Sequence, residues 1–434
     1  MKTKIKNGRI WLKNLNEFKG RFIEIFIANK DKEASFITFL SKDKRIYIPI
    51  KIRETLKIKD EVNIVKIKII ENKKRRKFLL KNNLMDLISV IPEKTLSGYE
   101  IGFIQKHDSY LCWYCTQGRP KELLIKKEIP GVFLRFLGYY QAEGGKPKLT
   151  KRRGRTLSFS NTKFEIIKDF FKLSENLLDK NLWNATINYN KKIERKDIED
   201  LILKLKELGI QKDKIKIHPR EKIKNYSIIL WISNSILAET IDNLNNKSRD
   251  LILKTKNKAL FENYFRGVIA GDGNFFSYRD KKGSLHSWLS IYEEKEHYIL
   301  RYKEILEKYG LNGKIRKDKD KNLYILVILA NWEKLLNLLK YDIFLYTPKH
   351  KDRLLWTIKN HKKYRALKYL TKLEDKFDIK DIKNISNKNY SYAAHWIKKR
   401  KREDIILPKE IIENRQSWEL TDKGKEVRKI LRLI

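Results

Sequence analysis

The chain writes nearly the same short helix twice, as FLGYYQAEG (Phe136–Gly144) and as FRGVIAGDG (Phe265–Gly273). In each stretch two small residues stand four apart, Gly138 with Ala142 and Gly267 with Gly271, which places them on one helix face. A face without side chains lets a second helix backbone approach closely, so each stretch is expected to pack against a partner like itself. Each also ends in an acid followed by glycine, Glu143-Gly144 and Asp272-Gly273, and the glycine is expected to take the left-handed conformation that closes a helix. A carboxylate in the last turn opposes the helix dipole, and two such helices side by side would bring two anions together. Divalent cations held by oxygen ligands would offset that repulsion, and they can also polarise a phosphate and activate water.

Working outward, the same order of elements follows both stretches. After the first come the turn signal KLTKRRGRT, the strand TLSFS and a helix over Thr162 to Leu177; after the second come RDKKGS, the strand WLSIY and a helix over Glu293 to Tyr309. Both copies then pass through a basic segment into an apolar strand and a last helix, IILWISNSILAETIDNL and LYILVILANWEKLLNLL. The first copy is longer, with an extra strand and helix around Asn184 to Leu208. The pattern predicts an α+β protein whose core is a duplicated αββαββα unit with pseudo-twofold symmetry. The expected domains are a small β-rich unit over 1–90, the first repeat with a preceding β segment over 91–250, the second repeat over 251–348 and a helical module over 349–434.

The sequence has 434 residues, 98 Lys+Arg against 54 Asp+Glu, and a net charge of +44, so its natural partners are polyanions, nucleic acid first. With 41% hydrophobic residues it can bury real cores, which excludes a disordered basic tail. No apolar run approaches the roughly 18 residues of a membrane span, and no signal core follows the basic start, so a cytoplasmic, nucleoid-associated protein is expected. Cys112 and Cys115 form a C-x-x-C, but in a strand context that points the two side chains to opposite faces, so it is read as structural.

The two acid-ending motifs, their spacing and their repeated downstream order resemble those of LAGLIDADG (dodecapeptide) homing endonucleases with both motifs on one chain. The resemblance covers about residues 90 to 348. It implies a site-specific double-strand DNA endonuclease that uses Mg2+ or Mn2+, with Glu143 and Asp272 as the metal-binding catalytic acids. The backbone carbonyls of Ala142 and Gly271 would be neighbouring ligands, and Gly138 and Gly267 the helix-packing glycines. Glu in place of Asp at 143 is an accepted variant. Assisting lysines would be Lys222 and Lys314, ahead of the last strand of each copy. Groove-facing residues would be Lys151, Arg152, Arg153 and Arg155 from one copy and Tyr278, Arg279, Lys281 and Lys282 from the other. A non-cleaving DNA-binding regulator and an RNA maturase are the alternative functions on this fold.

At the N-terminus, the IYIP step at Ile46 to Pro49, a short helix over Ile50 to Leu56 and KIKDEVNIVKI resemble an AbrB-like DNA-binding fold, which implies dimerisation through this module around a monomeric core. At the C-terminus, the helical runs YRALKYLTKLED, DIKDIKNIS and YSYAAHWIKKRKRED followed by RQSWEL resemble a winged helix-turn-helix. Tyr392, His395, Lys398, Lys399 and Lys401 would then face DNA. The chain begins Met1-Lys2 and ends Leu433-Ile434, without the splice residues of an intein, so a free-standing or intron-encoded protein is expected.

Overall fold

The structure is a computed structural model. It describes residues 2–434 apart from 12–15, 19–20, 41–44, 71–79, 82–83, 117–118, 146–154, 222, 319–321 and 413–414. The chain forms two compact units, Met1–Leu251 and Ile252–Ile434, each mixing helix and sheet. Among the described residues no helix is long and apolar enough to cross a membrane.

In the first unit, strands Lys2–Lys4, Glu61–Ile69, Phe22–Asn29 and Lys32–Phe39 form one antiparallel sheet in that order. Ile23, Ile25 and Ile27 alternate onto its buried face, the period of two that FIEIFIAN prescribes. The helix Ile50–Thr55 lies between the short strand Arg45–Tyr47 and Glu61–Ile69. A second sheet, of Gly102–Lys106, Ser109–Thr116 and Arg119–Lys126, meets the first where Phe22 packs edge-on to Trp113, with ring centres 5.6 Å apart. Cys112 is a buried thiol within it that forms no disulfide.

From there the strand Glu128–Pro130 and a single 3-10 turn lead directly into the first motif helix, Leu134–Glu143. Stacked aromatic rings hold this helix. Phe136 lies on Phe170 at 4.2 Å, Phe170 on Phe159 at 4.0 Å, and Trp183 closes the stack edge-on at 5.7 Å. Trp183 Nε1 donates to Ser174 Oγ at 2.8 Å, so the ring is buried without losing its hydrogen bond. Arg135 forms a two-pronged pair with Asp169 at 2.7 and 2.8 Å, which also accepts from the Tyr139 hydroxyl.

The sheet of the first repeat runs Thr156–Asn161, Tyr226–Ser233, Asn184–Tyr189, Ile215–Pro219. That of the second runs Gly273–Arg279, Leu285–Glu293, Leu323–Leu329, Lys314–Asp318. The registers align the two internally. Gly144 bridges Phe159 as Gly273 pairs Ile291; Phe159 pairs Leu230 as Ile291 pairs Leu326; Leu230 pairs Ala185 as Leu326 pairs Ile315. Asn184–Tyr189 therefore occupies the place of Lys314–Asp318. The addition in the first repeat is the helix Arg195–Glu207 with the edge strand Ile215–Pro219, parallel to its neighbour, and not a segment beginning at Asn184. A helix between two parallel strands is the connection that parallel pairing demands.

In the second unit, Asn257 caps the second motif helix, Lys258–Asp272, by accepting from Leu260 N. Phe261 stacks on Tyr309 at 3.8 Å, and burial pushes the Tyr309 phenol up to about 12. Beyond the last helix of the repeat, Trp332–Lys340, comes one that the hydropathy pattern did not reveal, Pro348–Asn360. It lies along the edge strand Gly273–Arg279, where Arg353 Nη1 donates to the Phe275 carbonyl at 2.8 Å. The chain then forms the helix Lys362–Leu367, a 3-10 segment, and the helices Ile379–Ser386 and Tyr390–Arg402. A three-stranded sheet in the order Lys376–Phe377, Arg415–Leu420, Ile406–Ile412 and the helix Asp422–Leu431 complete it.

The ring stack predicts that Phe170→Ala, which empties a fully buried aromatic site, costs about 3–5 kcal/mol. Denaturant unfolding of the two proteins measures it, with the unfolding of the first unit shifted to lower denaturant.

Candidate active site

Both motif helices end in the same way. The last intrahelical bond runs from Gly144 N to Tyr140 O in one and from Gly273 N to Ile269 O in the other. The chain then goes straight into β structure, with Gly144 at φ −72, ψ 131 and Gly273 at φ −90, ψ 141. Neither glycine is left-handed, so the expected helix-closing conformation is wrong. Space is the reason for glycine. A Cβ on Gly144 would stand 2.1 Å from Tyr140 O, and one on Gly273 would stand 2.7 Å from Ile269 Cα. The chain leaves each helix by folding back against its last turn, and only a residue without a side chain fits.

The consequence is a fixed acid. Glu143 and Asp272 are each the last helical residue and half-buried; Asp272 stands directly ahead of the strand Gly273–Arg279, and Glu143 directly ahead of Gly144, which bridges Phe159 while Gly145 N donates to Ser158 O at 3.0 Å. Burial holds the Glu143 carboxyl above the usual carboxylate range, and the Lys163 cation draws it part of the way back. Two residues earlier Gln141 is buried, its Oε1 accepting from Asn245 Nδ2 at 2.7 Å and from Arg249 Nη1 at 3.1 Å. Tyr140 donates its hydroxyl proton to Asp242 at 3.0 Å. These anchors clamp the C-terminal turn to the long helix Ser235–Thr255. Gly138 and Gly267 are buried, and Ala142 and Gly271 half-buried.

The donors available at each helix end are hard oxygens: a carboxylate, and main-chain carbonyls of the final turn, such as those of Ala142 and Gly271, which the helical ladder does not use. That chemistry fits Mg2+ or Mn2+ and not a thiophilic metal. Among the described residues no cluster of three or more His, Cys, Asp or Glu is arranged to hold a metal.

Several residues expected to act stand elsewhere. Arg155 is tied to Asp242 in a largely buried ion pair, and its amide donates to Ser235 Oγ, so it braces the fold and is not offered to a groove. Lys151, Arg152, Arg153 and Lys222 lie outside the described residues. Lys314 is exposed at the start of its strand, and the register makes Asn184, not Lys222, its counterpart in the first repeat. Arg279 spends its guanidinium on the Gly283 and Asn360 carbonyls at 2.8 and 3.0 Å, whereas Lys281 and Lys282 are exposed at the hairpin tip and Tyr278 is exposed beside them.

On the helix Tyr390–Arg402, His395, Lys398 and Lys399 share an exposed face, and Lys401 is exposed near Trp418. Tyr392 is half-buried and hydrogen-bonded to Tyr369, so it faces its own module. The sequence reading missed Arg402, which completes the face at the spacing 395, 398, 399, 402. It also missed Phe276, His286 and Trp288 around Tyr278, although the alternation in NFFSY and LHSWLS carried that signal.

The geometry of the second repeat has a counterpart among known families. Residues 259–338 match the LAGLIDADG-like domain. The match takes in most of the second motif helix, Asp272 and the whole sheet Gly273–Leu329. Among solved structures, the homing endonuclease I-DmoI is similar at 15% identity and a TM-score of 0.29, over 48% of this chain and 87% of that one. I-WcaI bound to its DNA recognition sequence is similar at 14% identity and 0.30, over 51% and 83%. Full-length DUF199/WhiA from Thermatoga maritima is similar at 14% identity and 0.29, over 63% and 90%. The curated proteins contain no match.

Two outcomes are expected. Gly144→Ala, which drives a methyl into a backbone oxygen, costs about 1–3 kcal/mol or more, read as a lowered unfolding midpoint. Because protons compete with cations for a carboxylate whose affinity for protons is raised, Mn2+ binding weakens as pH falls and begins to do so above the range of an ordinary exposed acid. Calorimetric titrations at stepped pH measure it, and an affinity flat through that range would remove Glu143 from the site.

Proposed function

We propose that the protein is a site-specific double-strand DNA endonuclease that depends on Mg2+ or Mn2+, with Glu143 and Asp272 supplying the carboxylates. The observation that carries this reading is the repeated helix end: an acid on the last helical residue, followed by a glycine that no other residue can replace, in the same register with a sheet. Bound divalent metal would polarise the scissile phosphate and lower the pKa of the attacking water.

The residues of the chain do the rest. Burial disfavours the bare Glu143 carboxylate, and a bound cation would offset that cost. Gln141, Asn245 and Arg249 keep its helix turn from shifting, so the carboxylate is held before the substrate arrives. The excess of lysine and arginine draws the DNA backbone in and sets the salt dependence of binding.

The C-terminal helices and the hairpin Ile406–Leu420 are read as a winged helix-turn-helix, with His395, Lys398, Lys399 and Arg402 toward DNA. The N-terminal sheet is read as an accessory DNA-contacting module of the AbrB-like kind.

A supercoiled plasmid library carrying randomised targets should be nicked or linearised in Mg2+ or Mn2+ and left intact in EDTA. Asp272→Asn and Glu143→Gln should each abolish cutting while duplex affinity in a gel shift stays within about twofold. Unchanged cutting by the double variant would end the endonuclease reading. For the C-terminal module, Lys398→Ala with Lys399→Ala should flatten the slope of log affinity against log salt by about 2, with no change in unfolding midpoint.

A further inference from the structure

The N-terminal module repeats itself. RIW at Arg9–Trp11 returns as RIY at Arg45–Tyr47, and each is flanked by the same elements: a strand before it, and a helical turn and a longer strand after it. The first copy runs from Lys2–Lys4 through the 3-10 turn Asn16–Phe18 into Phe22–Asn29, and the second from Lys32–Phe39 through the helix Ile50–Thr55 into Glu61–Ile69. RIW and RIY pair with each other, antiparallel, with Ile10 opposite Ile46 at the centre and both fully buried. The four-stranded sheet reads Lys2–Lys4, Glu61–Ile69, Phe22–Asn29, Lys32–Phe39, so the first strand of each copy lies on the last strand of the other.

A pseudo-twofold axis through the Ile10–Ile46 pair relates the copies down to their hydrogen bonds. Ile5 N, just after the first strand of one copy, donates to Asp60 O, just before the last strand of the other, at 2.7 Å; in the equivalent places Leu40 N donates to Arg21 O at 3.1 Å. Thr3 pairs Val62 as Thr38 pairs Ile23. Ile10, Ile23 and Ile25 from one copy and Ile46, Val62 and Ile64 from the other fill one core. The symmetry stops where the module meets the sheet Gly102–Lys126. Phe22 and Ile37 are buried there against Trp113, whereas the equivalent positions on the other side of the axis hold Glu61 and Lys2, an exposed ion pair at 3.5 Å.

We infer that Lys2–Ile69 is a strand-exchanged pair completed within one chain, so that this module takes no second copy of the protein and the chain stays a monomer. The AbrB-like resemblance implies a dimer, and here the second member is already in the sequence. The two-residue turn Lys30–Asp31, with Lys30 left-handed at φ 54, joins the last strand of one copy to the first strand of the next. A connection that short holds the halves together at an effective concentration on the order of millimolar, and a second chain at lower concentration loses the competition. The surfaces left over also discourage a partner. Covering the place equivalent to the Trp113 seam would strip water from Lys2 and Glu61. The outer strand Lys2–Lys4 is three residues long and carries two exposed lysines, which oppose extension of the sheet by another chain.

The test reads the closure directly in the full chain. With Cys112→Ser and Cys115→Ser as background, Lys2→Cys and Asn63→Cys put thiols on two exposed cross-strand partners, one from each copy. Treated with oxidant or a short bis-maleimide and run on a denaturing gel, this variant should migrate as a single cross-linked chain, and the oxidised form should shift in mobility on reduction. Variants with only one of the two thiols should show no such band. A covalent dimer means that the strands are exchanged between chains, and no cross-link of either kind means that they are not neighbours; each outcome would overturn the inference. Independently, the unaltered protein should sediment with the mass of one chain over about a hundredfold range of concentration, and a mass that doubles within that range overturns it as well. Neither measurement involves DNA or metal, so a failure here leaves the endonuclease reading to its own test.

Discussion

Everything at the two helix ends depends on a steric constraint: a chain that passes from a helix straight into β pairing must lie against the turn it has just left. At Gly144 and Gly273 the backbone comes so near the residue four positions earlier that a methyl group has no room. An ordinary connection would let the acid before it wander with the loop. Here the acid belongs to the last rigid turn on one side and to a hydrogen-bonded register on the other, so its carboxylate is located by backbone on both sides. The aromatic stack behind the first helix and the Phe261–Tyr309 pair behind the second keep those turns from sliding.

The duplication and both motif helices were legible in the sequence because they rest on local facts: small residues four apart, an acid before glycine, alternating apolar strands. The glycine was found but its purpose was not, since left-handed geometry and lack of space select the same residue and only coordinates tell them apart. Arg155 and Arg279 are groove-facing residues in the family resemblance. Their partners within the fold, Asp242 and the Asn360 carbonyl, are 87 and 81 residues away in the chain, beyond what spacing can reveal. The helix Pro348–Asn360 was hidden for a related reason. It buries few side chains of its own and is held by Arg353 and Arg279 at a sheet edge, so its polar sequence reads as a connector.

The two repeats also divide their labour by surface chemistry. Their inner strands share a register among the described residues, yet one presents hydroxyls and amides and the other rings. A common backbone with unlike faces allows the two halves to differ in surface chemistry without either having to change how its acid is held.

The strand Ile215–Pro219 shows where such a repeat can grow. It stands at the border of the sheet, beyond Asn184–Tyr189, and leaves the inner pairings as they are in the second repeat. A border strand invites adhesion to other sheets. This one carries Lys216, His218 and a terminal proline, which repel or interrupt a would-be neighbour. Accretion at a protected margin lets one half of a duplicated protein widen over evolutionary time while its ancestral interior stays under unchanged selection.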